Sequence, residues 1–180
     1  MDYDVVERNK LDTPFWVKIG SGKISEQEDR LNYVFEKKGV KNLTLGIKQS
    51  EYESLFNACY TLQVYIFEKL MKSIPEGETK SKEFELVYQV LSEIIEKNVN
   101  INAKISDIYF ESITEKEPSA NEQKFFYRIF VFLTFEKKKT IEEILASVSD
   151  RLRSSSDEKM KKWSKWFEDL KKNRTLPSSI

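Results

Sequence analysis

The chain has 180 residues, including 12 Phe, 8 Tyr and 3 Trp, which is enough apolar mass for one domain with a core and excludes wholesale disorder. Its 30 Lys and Arg balance 30 Asp and Glu, so the overall basic excess of a nucleic-acid binder is missing. With no histidine and a single cysteine, the chain lacks the commonest general base and metal ligand, every Ser-His or Cys-His nucleophile pair, an internal disulfide and a thiolate metal site.

Residues 1–13 read as a polar leader, without the basic and apolar regions of a secretory signal. Pro14-Phe15-Trp16-Val17 opens the ordered part, and Ile19-Gly20-Ser21-Gly22 suggests a turn. This Gly-x-Gly lacks the third glycine and the strand-turn-helix context of a dinucleotide site. Residues 31–36 and 43–47 predict two short strands joined by a loop at 37–42. Ser50 and Glu53 are spaced as a capping box, so a helix is expected from there to about Ser73. Tyr52, Leu55, Phe56, Cys59, Leu62, Ile66 and Leu70 would form its core stripe, widened by Tyr60, Val64, Tyr65 and Phe67. Cys59 in such a stripe is expected to be a buried structural thiol.

Pro75-Glu76-Gly77 ends that helix, and a second one is expected over about 80–97, with Phe84, Val87, Leu91, Ile94 and Ile95 inward. Alternation then takes over. Val99, Ile101, Ala103 and Ile105 form one strand pattern, and Tyr127, Ile129, Val131, Leu133 and Phe135 form another. The alternation slips between Ile105 and Ile108, where a β-bulge at Ser106-Asp107 would restore register. Residues 114–123 read as an exposed hairpin loop. The second strand is apolar on its opposite face as well, through Phe126, Phe130 and Phe132, so both faces need cover, from the chain or from a partner. Thr140 with Glu143 and Ser155 with Glu158 suggest two more capping boxes. The first helix would bury Ile141, Ile144, Leu145, Val148 and Leu152; the last would present Met160, Trp163, Phe167 and Leu170, with Trp166 beside them.

The acid pairs Glu83/Glu85, Glu142/Glu143 and Asp157/Glu158 all fall near helix starts, where carboxylates favour the helix dipole, so they read as caps rather than as acid–base machinery. Lys137-Lys138-Lys139 reads as a solvated strand end, because the aromatic-glycine pattern of an RNA platform is missing. The Trp163/Trp166/Phe167 helix carries many lysines and could touch an anionic membrane, although Asp157, Glu158, Glu168 and Asp169 weaken that attraction. No segment reaches the ~18 uninterrupted apolar residues of a membrane span.

Several segments, in order, resemble the twenty-kilodalton-lipoprotein-like family of bacterial envelope proteins, which includes flagellar accessory lipoproteins. They are Pro14-Phe15-Trp16-Val17, the long helix with Phe56, Ala58 and Cys59, the strand Ile105-Ser106-Asp107-Ile108-Tyr109-Phe110, and its mate Phe126 to Leu133 ending in lysines and a helix. The central helix is more aromatic and less alanine-rich than is usual in that family. The resemblance implies a non-enzymatic assembly module, periplasmic or outer-membrane-associated, whose signal and lipid-bearing cysteine are expected to have been removed; it transfers no catalytic residue. Read literally, the N-terminus gives a cytoplasmic alternative.

The expected fold is therefore α+β: an antiparallel sheet of about four strands packed against helices, in the order strand-strand-helix-helix-strand-strand-helix-helix. Residues 14–153 form a single domain, 154–175 a C-terminal amphipathic helix and 176–180 a tail. The expected function is binding of another protein, or self-association, through Phe126, Phe130, Phe132, Trp163 and Trp166, with peripheral membrane contact as a further possibility and neither a cofactor nor a nucleic acid involved. The alternative is a carrier of a small apolar ligand or lipid, with a pocket between the central helix and the sheet.

Overall fold

A computed structural model describes residues 3–74, 78–115 and 124–172. The expected tail at 176–180, the Pro75-Glu76-Gly77 stop and most of the 114–123 loop lie outside these residues. The elements run β1 (Tyr3–Arg8), a 3₁₀ turn (Phe15–Ile19), β2 (Ile24–Gln27), β3 (Arg30–Val40), α1 (Leu43–Met71), a short 3₁₀ turn (Glu78–Lys80), α2 (Lys82–Asn102), β4 (Lys104–Glu115), β5 (Lys124–Glu136), α3 (Lys137–Arg153) and α4 (Glu158–Lys172). The α+β class and the antiparallel sheet are as the sequence led one to expect. The chain divides into two compact units: Met1–Ala58 with Lys104–Thr134, and Cys59–Ala103 with Phe135–Ile180.

The first unit holds a five-stranded sheet in the order β1-β4-β5-β3-β2. Its centre is the β4–β5 hairpin, in register from Ile105 opposite Leu133 to Glu115 opposite Lys124, with the register shift falling between Ile105 and Asp107 as the broken alternation requires. β1 was hidden in the polar leader. It lies at the sheet edge, paired with β4, and nearly all its side chains face water, so it carries no apolar alternation to read. The segment 43–47 is helical, not a strand. Asn42 Oδ1 accepts from the Leu45 amide at 3.0 Å and caps α1 there, so α1 begins well before Ser50. Likewise 99–102 belong to α2, with Val99 buried on its inner face.

Ile129, Val131 and Leu133 are buried on one face of β5. Gly46 closes over that face: a Cβ there would overlap the Val40 side chain and come within 2.9 Å of Ile129 Cδ1. The opposite face is covered by the Phe15–Ile19 turn, whose Trp16 buries with Val34, Tyr109 and Phe130. Trp16 also stacks on Phe132 with centroids 5.2 Å apart and planes inclined by 9°.

The second unit is helical. Ser81 caps α2 by accepting from the Phe84 amide at 3.1 Å. α3 starts at Lys137, so Thr140 sits one turn inside it, buried, and is not its cap. Asp157, rather than Ser155, caps α4: its carboxylate accepts from the Lys159 amide at 2.8 Å. α3 and α4 meet through two serines. Ser149 Oγ donates to the Ser164 carbonyl at 3.0 Å, and Ser164 Oγ to the Ser149 carbonyl at 2.8 Å. Small side chains with reciprocal bonds to backbone let the two helices approach closely while leaving their own hydroxyls satisfied. Among the described residues, no helix is long and apolar enough to cross a membrane.

Candidate interaction surface

In the sheet unit the sequence-predicted interaction residues Phe126, Phe130 and Phe132 are not left open. Phe130 is buried and Phe132 is half-buried under Trp16, so the second face of β5 is covered by the chain itself. Phe126 is half-buried opposite Ile113. In the helical unit Trp163 is buried against Phe84, and Trp166 stands half-buried against Trp163 and Phe167. The open-face expectation is corrected for a simple reason: a 3₁₀ turn of five residues, with one Trp, is too short to announce itself by periodicity.

The same sheet face carries a charged network that the sequence did not suggest. Arg128 is paired across from Glu111 in the β4–β5 register. Its guanidinium bonds Glu36 Oε1 through Nε at 3.0 Å and Nη2 at 2.6 Å, lies 3.5 Å from Glu111, donates to the Tyr3 hydroxyl and covers the Tyr3 and Phe130 rings. Burial opposes its charge, yet the Glu36 carboxylate, with Tyr3 and Glu111, holds the Arg128 pKa above its ordinary value. Tyr109 donates to Glu111 Oε1 at 2.8 Å, and burial first, then the Glu111 carboxylate, raises its pKa. Nearby, Trp16 Nε1 donates to Asp107 Oδ2 at 3.0 Å and Lys10 pairs with the same carboxylate; these bonds outweigh burial and lower the Asp107 pKa. Acids and bases here answer one another, which ties the strands together.

Several acids near helix starts also have partners. Glu83 pairs with Lys159, Glu143 accepts from Asn98 and Asn102 at 3.2 and 2.7 Å, and Glu158 pairs with Lys161. Among the described residues no group of three or more acidic or thiol side chains gathers to hold a metal ion. In the helical unit Phe67, Leu70, Phe84, Val87, Trp163 and Trp166 surround a gap the size of about one water molecule. It is lined by residues of the helical unit and is too small for a lipid chain.

The exposed feature lies on α1. Gly46, Ser50, Ser54, Ala58, Leu62, Ile66 and Leu70 are all buried, at an unbroken spacing of four. The first four bury in the sheet unit and the last three in the helical unit. Cys59, beside this row, is only half-buried; burial, then the Glu96 carboxylate, raises its thiol pKa. A second row, offset by two residues and hence by about 200° around the helix, faces water: Tyr52 is 76% exposed, Phe56 74% and Tyr60 68%. The sequence reading had placed these three aromatics in the core. The buried positions go to Ser50, Ser54 and Ala58, which continue the row of Gly46, where a Cβ would overlap the Val40 side chain. The signal was present in the sequence as the run of small residues at every fourth position leading into Leu62.

Comparison of the chain with protein-family models, with curated proteins and with solved structures found no match.

Proposed function

We propose that this chain is a non-enzymatic interaction module whose docking surface is the outer row of α1, centred on Tyr52, Phe56 and Tyr60. One observation carries the reading: three large aromatics stand more than two-thirds exposed in a line on a long helix whose opposite row is buried throughout. Leaving such surface in water forgoes about 1.5–3 kcal/mol per side chain, which a partner would recover. Tyr and Phe supply large, rigid contact area at low entropic cost, and Gln49 and Asn57 beside them give an exposed polar rim. The resemblance to envelope lipoprotein-like proteins supports a place in an assembly of the bacterial cell envelope, periplasmic or at the outer membrane, and for the flagellar members of that family an accessory role at the flagellum.

The test is a photo-crosslinking amino acid placed at Tyr52, Phe56 or Tyr60 in the native cell, with Arg151 as an exposed control on α3. The reading expects discrete protein adducts from the three α1 positions and none from the control. Equal or absent adducts at all positions would refute it.

A further inference from the structure

The exposed side chains of α1 are arranged symmetrically about its middle. Phe56 and Tyr60 lie two residues either side of Ala58, Tyr52 and Val64 six, Lys48 and Glu68 ten, and Leu45 and Met71 thirteen. All eight are exposed, and Ala58 itself points into the core. Reversing the helix direction therefore maps each apolar member of the row onto another apolar member, and maps the lysine onto the glutamate. We propose that the outer row of α1 pairs antiparallel with the same row of a second copy of this chain, about a two-fold axis passing through the exposed side opposite Ala58. This assignment rests on the docking role of the row and names its partner.

An isologous contact needs a self-complementary patch, and few helix faces provide one. Here Phe56 would meet the second copy's Tyr60 and Tyr52 its Val64, so the apolar positions at the centre of the row oppose apolar ones. The charges add direction. Lys48 would face Glu68 at both ends, whereas a parallel pair would oppose Lys48 to Lys48 and Glu68 to Glu68. Antiparallel helix dipoles agree with the same choice. Rows at a spacing of four pack as ridges into grooves at a crossing angle of about −50°, so the centre packs tightly and the ends curve away. Aromatics occupy the centre, and the long, flexible Lys48 and Glu68 occupy the ends, where only such side chains can still reach across. The area is adequate as well. Three aromatics per chain expose roughly 300–500 Å², and with Val64 a pair of chains hides on the order of 1,000 Å², the lower size of a specific interface.

Sedimentation equilibrium of the full chain tests the pairing. The wild type should form dimers. Phe56→Glu should weaken the dimer at least roughly tenfold, since it puts two like charges at the centre, while thermal unfolding of this exposed variant stays at the wild-type temperature. Lys48→Glu and Glu68→Lys should each weaken it by roughly fivefold, by setting like charges at both ends. The double swap Lys48→Glu with Glu68→Lys should recover wild-type affinity, whereas in a parallel pairing, where like charges already oppose, neither single change would weaken the dimer. Failure of the double swap to recover the dimer overturns the register. A monomer at roughly millimolar chain, with Phe56 cross-linking to a different polypeptide in the cell, overturns the second copy as partner and leaves the docking surface standing. A monomer with no cross-link at all removes both.

Discussion

Trp16→Ala tests whether the second face of the sheet is closed by the chain itself. Trp16 is only 3% exposed, stacks on Phe132, packs with Tyr109 and Phe130, and donates its indole N–H to Asp107. Removing a buried Trp side chain costs about 3–5 kcal/mol, because the void over two phenylalanines cannot close. The lost bond to an ionised carboxylate adds about 1.5–3 kcal/mol in a buried setting, and less here because Asp107 is partly solvated and keeps Lys10. A total of about 4–6 kcal/mol is therefore expected. Trp16→Phe keeps a ring against Phe132 and should cost about 1–2 kcal/mol, isolating the hydrogen bond. Urea unfolding followed by far-UV circular dichroism gives both values from the midpoint and slope. Trp16→Ala should also raise binding of an apolar dye as Phe130 and Phe132 open to water. A cost for Trp16→Ala below about 1 kcal/mol, with no gain in dye binding, would mean that the turn does not cover the sheet and that Phe130 and Phe132 are closed by something else.

Three further outcomes follow from the packing. Gly46→Leu should destabilise by roughly 1–3 kcal/mol or more through overlap with Val40 and Ile129, read as a lower urea midpoint, and Gly46→Ala by a smaller amount of the same sign. The Tyr109 pKa is raised in the folded chain, so the folded state holds that proton more tightly; stability from this group is full below the ordinary tyrosine value of about 10 and is lost as pH rises through the folded value, a loss that Tyr109→Phe should abolish in denaturant titrations between neutral and alkaline pH. Ser149→Ala removes the donor to the Ser164 carbonyl and should cost about 1–3 kcal/mol, whereas Ser154→Ala, whose hydroxyl is exposed, should stay within about 0.5 kcal/mol by the same unfolding assay.

Elements whose burial is one-sided and regular were legible. The β5 alternation, the bulge before Asp107 and the inner faces of α2, α3 and α4 all follow from period-two or period-four apolar spacing. Elements held by something other than apolar burial were not. β1 is an exposed edge strand fixed by backbone pairing. Residues 43–47 alternate like a strand, but one cap at Asn42 and one close approach at Gly46 decide for helix. The Arg128 network looks from the sequence like ordinary polar positions on a strand, and only the cross-strand register brings Glu36, Glu111 and Tyr3 to it. The candidate surface was misplaced by a rule that is sound on average. Tyr52, Phe56 and Tyr60 are large side chains that read as core, but the buried row is the one that carries Gly46, Ser50, Ser54 and Ala58.

The two rows of α1 also restrict how this gene can change length. Each residue turns the helix by about 100°. Deleting a single residue near Asn57 would therefore rotate everything beyond it, drawing Leu62 and Ile66 out of the core and swinging Tyr60 and Val64 toward it. Insertions that preserve both rows must come in lengths that return nearly the same phase, about seven or eleven residues, and these would lengthen the helix by two or three turns. Short insertions and deletions should accumulate in the connections between elements, while α1 keeps its length.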